Sequence, residues 1–346
     1  MAIDRVISGK TINEQEEVLN NSLRPDSLGD YIGQTSVKEK LSIAIEAARR
    51  RGEPLDHMLL HGPPGLGKTT LAHIVAREMG VTVKSTSGPA IAKQGDVMGL
   101  LSNLNSGDIL FIDEIHRLST VVEEFIYPAM EDFKVDFTVD SGMHAKTINF
   151  PLKRFTLIGA TTRAGLLSAP LRSRFGLIYH MDFYSHEHLA EIIKRSARLL
   201  NLKCDDGTLD LIASRSRGTP RIANRLLKRV RDYAQVKGTG KLTTEIVENA
   251  LKMEQIDTLG LDELDRSFLK AIANVYEGGP AGIEAIAATL GEERDTLEDI
   301  VEPFLLQIGF VRRTKRGREI TLKACTHLNI EYKNKKTDAA ELPEEE

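Results

Sequence analysis

The chain has 346 residues, 41% of them hydrophobic and 28% charged, with a formal net charge of −4 and no tryptophan. That length leaves room for two or three domains, and the slight acidity argues against non-specific polyanion binding by the molecule as a whole, though not against a local basic patch. Cys204 and Cys325 stand alone, against a disulfide framework or a cysteine metal site, and no run nears the roughly 20 apolar residues of a membrane helix, so a reducing cytoplasm is the expected compartment.

Residues 1–20 are polar and read as a loosely held terminus. The stretch Leu23-Arg24-Pro25-Asp26-Ser27-Leu28-Gly29-Asp30-Tyr31-Ile32-Gly33-Gln34 mixes apolar side chains with turn formers ahead of a helix predicted over Val37 to Arg50. Met58-Leu59-Leu60 then suits a short buried strand, and Gly62-Pro63-Pro64-Gly65-Leu66-Gly67-Lys68-Thr69 matches G-x-x-x-x-G-K-[ST]. Leu71, Ile74, Val75 and Met79 follow at helical spacing. The loop thus joins a strand's C-terminal end to a helix N-terminus, where backbone N–H groups and the helix dipole favour phosphate. Lys68 is placed to reach the β- and γ-phosphates of ATP, and the Thr69 hydroxyl to ligate Mg²⁺.

Val81-Thr82-Val83 is the next strand candidate. Gly107-Asp108-Ile109-Leu110-Phe111-Ile112-Asp113-Glu114 is an apolar run ending in two acids, as a fully buried parallel strand delivering carboxylates would be. Asp113 suits the Mg²⁺ shell and Glu114 the polarising of an attacking water. Alternation from Phe133 to Asn149, with Val135, Phe137 and Val139 on one face, then Ser141-Gly142, then Ile148 and Phe150, predicts a hairpin. From the residues alone it either docks a partner or folds against its own core. Phe155 to Ala160 is another buried strand, ending at Thr161-Thr162, which can bond a γ-phosphate or its water. Repeated strand–crossover–strand units imply an α/β parallel sheet flanked by helices.

After Pro170, Leu171-Arg172-Ser173-Arg174-Phe175-Gly176 puts an arginine near the domain edge. The pattern then turns helical. Ser185 is an N-cap for a helix carrying Leu189, Ile192, Ile193, Leu199 and Leu200. Further helices are expected over Leu209 to Ala213, Pro220 to Val236 and Thr244 to Met253. Pro220 opens its helix, so Arg221 sits in a first turn, where a cation opposes the dipole unless an anion compensates it. From Asp257 three helices (Leu264 to Val275, Ile283 to Leu290, Thr296 to Gln307) and a strand–turn–strand make a winged-helix pattern. Five of the seven residues from Arg312 to Arg318 are basic, a patch suited to DNA phosphates. The tail after Tyr332 turns lysine-rich, then acidic, and is expected to be disordered.

Together the P-loop, acidic strand, polar strand end, Leu-Arg-Ser-Arg-Phe and Gly-Thr-Pro-Arg resemble AAA+ ATPases. The strings RPDSLGDYIGQ, HGPPGLGKTTLA, FIDEIHRL, IGATTRAG, PLRSRFG and GTPRIANRLLKRVRDYA narrow the resemblance to the RuvB family, over about Leu23 to Ile330. That resemblance implies a flexible start (1–20), a large ATPase domain (21–183) with a hairpin at about 133–150, a helical lid (184–255), a winged-helix head (256–332) and a tail (333–346). It implies Leu23, Arg24 and Ile32 around adenine, and Gly65, Gly67, Lys68, Thr69 and Thr70 around the phosphates. Asp113 and Glu114 become the metal-shell and water-activating acids, with Glu131, Asp132 and Phe133 a further nucleotide-site segment. Thr161 or Thr162 is the γ-phosphate sensor, Arg174 the finger acting in trans, Tyr184 the hinge near the base and Arg221 the second sensor. Arg313 and Arg318 correspond to DNA-contacting arginines, with Arg294 a further candidate. Lys315 stands where the family pattern has a proline, so the wing tip is where this chain departs.

The same resemblance implies a homohexamer on the duplex arms of Holliday junctions in recombination and repair, RuvA docked on the hairpin and RuvC joining in a resolvasome. A clamp-loader or initiator switch on DNA is the alternative, followed by a transcriptional regulator carrying an ATPase. A protein unfoldase has no use for a winged helix.

Overall fold

The computed structural model describes residues 22–139 and 146–332. Both expected loose termini and the Ser141-Gly142 turn lie outside them. Among the described residues two compact units form, one from residues 22–192 with 218–221, the other from 193–217 with 222–332.

The first unit contains α1 (Thr35–Arg51), β1 (Met58–His61), α2 (Lys68–Met79), β2 (Val83–Ser87), α3 (Gln94–Ser102), β3 (Ile109–Asp113) and α4 (Thr120–Glu131). It continues with β4 (Lys134–Val139), β5 (Lys146–Pro151), β6 (Thr156–Thr161), α5 (Ala169–Ser173) and β7 (Leu177–His180). The main sheet has five strands in the order β2-β3-β6-β1-β7, every neighbouring pair parallel. Helices cover both faces of such a sheet, so its strands read as unbroken apolar runs; all of β6 is buried. Leu59, Leu110, Ile112, Phe155 and Leu157 pack with Val97 and Leu101 of α3 and with Phe125, Ile126 and Met130 of α4. The pairings His61↔Thr161 and Ile112↔Gly159 line up the P-loop, the two acids and the threonines along one sheet edge. Close packing behind that edge needs Gly159, where a Cβ would come within 2.9 Å of Ile115 Cδ1.

Some elements differ from expectation. Val81 belongs to the end of α2: Gly80 adopts φ +69°, its N–H and that of Val81 bond Arg77 and Ala76 carbonyls, and the strand starts at Val83. The sequence predicts no element over 94–102 or 120–131, and both are helices. In the hairpin Val135 pairs with Phe150 and is buried in the core, whereas Ile148 and Phe150 are exposed.

The second unit begins within α6 (His186–Leu199), whose start is capped by Ser185 Oγ accepting from His188 N at 3.3 Å. There follow β8 (Lys203–Cys204), α7 (Thr208–Ser214), α8 (Pro220–Lys237), β9 (Lys241–Leu242) and α9 (Thr244–Met253). The winged helix comprises α10 (Glu263–Lys270), extended by a wide turn Ala271–Val275, then α11 (Ile283–Leu290) and α12 (Arg294–Thr296), which runs on through Leu297–Val301 into α13 (Glu302–Gln307). Strands β10 (Val311–Thr314) and β11 (Gly317–Ile320) form the wing, and an unpredicted α14 (Leu322–Leu328) closes the domain. Phe268, Ile272, Ile286, Leu297, Leu305 and Phe310 fill its core.

Within the second unit the lid helices and the winged helix are joined by a buried ion pair. Arg217 donates to both carboxylate oxygens of Asp265 at 2.9 and 3.2 Å and to the Ile300 carbonyl at 3.2 Å, with its guanidinium over the Phe304 ring. Burial of both groups makes that pair costly to break one-sidedly, because the survivor would be a buried uncompensated charge. No helix among the described residues is long and apolar enough to cross a membrane.

Candidate active site

The P-loop leaves β1 through Gly62 and enters α2 through Gly67, both at positive φ. A side chain at Gly62 would lie 2.4 Å from the Met181 carbonyl, and one at Gly67 2.9 Å from the Tyr31 hydroxyl, so the loop's course requires glycine at both. Gly65, Thr69 and Thr70 sit in the same loop and the first turn of α2. Lys68 is buried and its Nζ donates to the Gly62 and Pro63 carbonyls at 2.7 and 2.9 Å. The hydroxyls of Tyr31 and Tyr184 lie 3.0 Å apart and share the Leu66 carbonyl as acceptor. Burial pushes the Tyr184 phenol up to about 12 and Tyr31 up as well, keeping both neutral. Tyr184 therefore touches the P-loop backbone directly, and Tyr31 is a site residue that the sequence reading missed. Nearby, Gln34 exchanges two hydrogen bonds with the Asp182 backbone, tying the segment after Leu23, Arg24 and Ile32 to the chain following β7. Leu23 is buried, Ile32 half-buried, and burial, followed by the Arg24 charge, lowers the pKa of His73 on α2.

At the end of β3 the two acids diverge. Burial and the adjacent Glu114 charge raise Asp113 above the ordinary carboxylate range, against Lys68 and Arg221. Burial also pushes Glu114 up, but hydrogen bonds from His116 and the Thr162 N–H, with the Lys68 charge, outweigh it and hold Glu114 below that range. Glu114 occupies left-handed backbone, φ +47°, unusual for a residue with a side chain and here turning its carboxylate toward the β6 edge. Its Oε2 accepts from both N and Oγ1 of Thr162 at 3.2 Å and lies 3.3 Å from His116 Nδ1. Thr161 is fully buried, its Oγ1 2.9 Å from the same His116 nitrogen. Of the two threonines, Thr162 is thus the one that holds the candidate base. His116, two residues past Glu114 in FIDEIHRL, is a site residue that spacing alone does not reveal.

Arg221 in the first turn of α8 donates its backbone N–H to the Gly65 carbonyl at 3.3 Å, which joins the residue expected as second sensor to the P-loop. Arg174 is brought together with Glu131: NH2 to Oε2 is 3.2 Å, NH1 donates to the Pro170 carbonyl at 2.7 Å, and the guanidinium lies 4.4 Å from the Tyr127 ring centre. Asp132 pairs with Lys134. The Phe133 ring instead packs edge-on against Phe155 and beside His57, so this structure gives it a core-packing contact.

In the winged helix the three arginines singled out from sequence converge on two carboxylates one helical turn apart. Arg318 is buried and its guanidinium is held by Glu302 at 2.8 and 2.9 Å and by Glu298 at 3.2 Å. Arg294 pairs with Glu298 and Glu284, and Arg313 lies 4.0 Å from both Glu298 and Glu302. Arg294 and Arg313 are exposed, 52% and 61%, while Arg318 is only 8% exposed. Of the three arginines expected at DNA, Arg294 and Arg313 are open to solvent, and Arg318 is held by Glu302 and Glu298. At the tip, Lys315-Arg316 forms the turn, closed by Thr314 Oγ1 donating to the Gly317 carbonyl at 2.9 Å, so lysine fits where proline was expected.

Three family models cover this architecture in succession: the Holliday junction DNA helicase RuvB P-loop domain at residues 23–181, the RuvB AAA lid domain at 184–257 and the RuvB C-terminal winged helix domain at 258–329. The Holliday junction branch migration complex subunit RuvB of Dehalococcoides mccartyi is 56% identical over 335 residues, 97% of this chain and 96% of that protein. Its counterpart from Ligilactobacillus salivarius is also 56% identical, over 95% of this chain and 98% of its own length. A solved structure of the Thermotoga maritima RuvB Holliday junction branch migration motor superposes with a TM-score of 0.83 at 54% identity, covering 90% of this chain and 99% of that one. With P-loop, lid and winged helix all matched in order and at full length, the chain belongs to the RuvB family of AAA+ ATPases.

Proposed function

We propose that this chain is an ATP-hydrolysing motor that drives branch migration of Holliday junctions, acting as a homohexameric ring on duplex DNA with RuvA and, in a resolvasome, with RuvC. The observation that carries the reading is a P-loop, lid and winged helix in the order of the RuvB relatives, with Glu114 held beside the P-loop by Thr162 and His116. Within the ATPase domain (21–183), lid (184–255) and head (256–332), each residue then has a task. Leu23, Arg24, Ile32 and Tyr184 bound the adenine side; the loop N–H groups, Lys68 and Thr70 hold the phosphates.

Thr69 and Asp113 would hold Mg²⁺, which supplies charge neutralisation on the phosphates. A half-buried carboxylate whose surroundings push it toward the neutral form suits a bound cation. Glu114 orients and polarises the attacking water, Thr162 fixes Glu114, and Arg221 senses the γ-phosphate from the lid side. Arg174, with Glu131 on the same edge, acts on the neighbouring subunit's nucleotide, a contribution worth about 10³ to 10⁵ in rate for such fingers. Hydrolysis then alters a subunit interface, and the heads shift along the duplex through phosphate contacts at Arg294 and Arg313, which need no base readout. The exposed Ile148 and Phe150 of the hairpin support docking of RuvA there.

The test is ATP turnover with and without linear duplex DNA, alongside sedimentation of the nucleotide-bound protein. Continuous, DNA-stimulated turnover by six-subunit assemblies is expected. A single round of hydrolysis followed by arrest on DNA would replace the motor with a clamp-loader or initiator switch.

A further inference from the structure

Resting on the reading of Arg174 as a finger acting in trans, we infer that Tyr127 is the finger's positioning residue, the support that aims Arg174 at the neighbouring subunit's nucleotide. Tyr127 stands on α4 and meets Arg174 face-on, the guanidinium 4.4 Å from its ring centre. A guanidinium seated over a ring is held by cation–π attraction without using up its N–H donors. The ring is itself anchored at its hydroxyl. Glu123 is buried, and its Oε2 accepts from the Tyr127 hydroxyl at 3.1 Å and from Ser168 Oγ at 2.6 Å, the two hydroxyls being 3.0 Å apart. Ser168 caps α5, the short helix that ends at Arg174, by accepting from Leu171 N at 3.3 Å. One carboxylate therefore ties together the helix start that carries the finger and the ring that supports it.

The remaining contacts of Arg174 divide into fixed and exchangeable ones. NH1 is held by the Pro170 carbonyl within the same turn. NH2 is held by Glu131, whose side chain is 56% exposed, a screened ion pair that a phosphate can displace. Nε is buried with no hydrogen-bond partner. A donor in that condition gains when an acceptor arrives. The ring of Tyr127 stays in place through this exchange, so the long side chain is already ordered when the phosphate comes within reach. Misplacement by about 1 Å can cost about 10² in rate.

Tyr127→Leu is expected to lower kcat for ATP at least about tenfold with KM changed less than about twofold. Tyr127→Phe, which keeps the ring and loses the anchor, should lower kcat about threefold, again at constant KM. Mixing Tyr127→Leu subunits with Glu114→Gln subunits tests the direction of action, because the latter cannot hydrolyse but carry an intact finger. Turnover should rise well above the sum of the separate proteins, since each Glu114→Gln subunit supplies a well-placed Arg174 to a neighbouring intact site. The parallel mixture of Arg174→Ala with Glu114→Gln is the control for the finger itself. If that control regains turnover and the Tyr127 mixture does not, Tyr127 serves its own subunit and the inference falls. If neither regains turnover, the trans reading of Arg174 fails first. Should Tyr127→Leu not fold, Tyr127→Phe decides: kcat unchanged from wild type overturns the inference.

Discussion

At the residue scale the chemistry rests on which side chain holds which. Glu114 is kept as a base by two donors of Thr162 and by His116, while Thr161, one position earlier, faces the interior. Sequence reading left these threonines equivalent because adjacent strand residues point to opposite faces and only the three-dimensional register decides which one meets the acid. Glu114→Gln is expected to reduce kcat by about 10² to 10⁴ with nucleotide affinity retained. Thr162→Val, which removes one of its two hydrogen bonds to Glu114, should cost about tenfold in kcat at unchanged KM. Thr161→Val should instead appear in the thermal midpoint. A larger kcat loss in Thr161→Val than in Thr162→Val would reverse these roles. The P-loop glycines, Lys68, Asp113 and Glu114 were legible because their spacing is local. His116, Tyr31, Tyr127 and Arg217 were not, because each acquires its role from a partner distant in sequence.

At the element scale the strands and lid helices follow from apolar runs and caps, whereas the strand order β2-β3-β6-β1-β7 follows from crossovers that no local pattern encodes. Val81 shows the limit: β-branched, yet claimed by the glycine cap of α2. His57 marks how the sheet and α4 are joined. The Leu157 N–H donates to its Nδ1 at 2.8 Å, so Nε2 carries the proton and donates to the Met130 carbonyl at 3.0 Å. Burial lowers its pKa below 6.5, against the Met130 bond and the Asp56 charge. The sign follows directly. The unfolded chain takes up a proton near pH 6.5 and the folded one only at lower pH, so this contribution is complete above about 6.5 and declines as pH falls between the two values. His61 and His73 shift the same way. Denaturant midpoints should therefore fall from pH 7.5 to 5.5, and His57→Gln should remove up to about one proton from that dependence. An unchanged slope would contradict the assigned hydrogen bonds.

At the scale of the whole molecule a phosphate-binding loop and a basic wing belong to one chain of the RuvB family. Composition shows a basic wing but not that Arg318 meets Glu302 and Glu298. That division predicts different phenotypes. Arg313→Ala should weaken duplex binding uniformly across sequences and reduce the slope of log affinity against log salt by about one. Arg318→Ala leaves Glu302 buried without its main partner and should destabilise the winged helix by about 3 to 5 kcal/mol. Equal loss of DNA affinity in both, with the fold intact in both, would return Arg318 to the contact surface.

The most direct test of the account is ATP-dependent dissociation of a synthetic four-way junction, with and without RuvA, against a linear duplex control. Conversion of the junction into duplex arms only with ATP, strongly stimulated by RuvA and abolished by Arg174→Ala, is the predicted result. ATP hydrolysis with no movement of the junction under any of these conditions would contradict it.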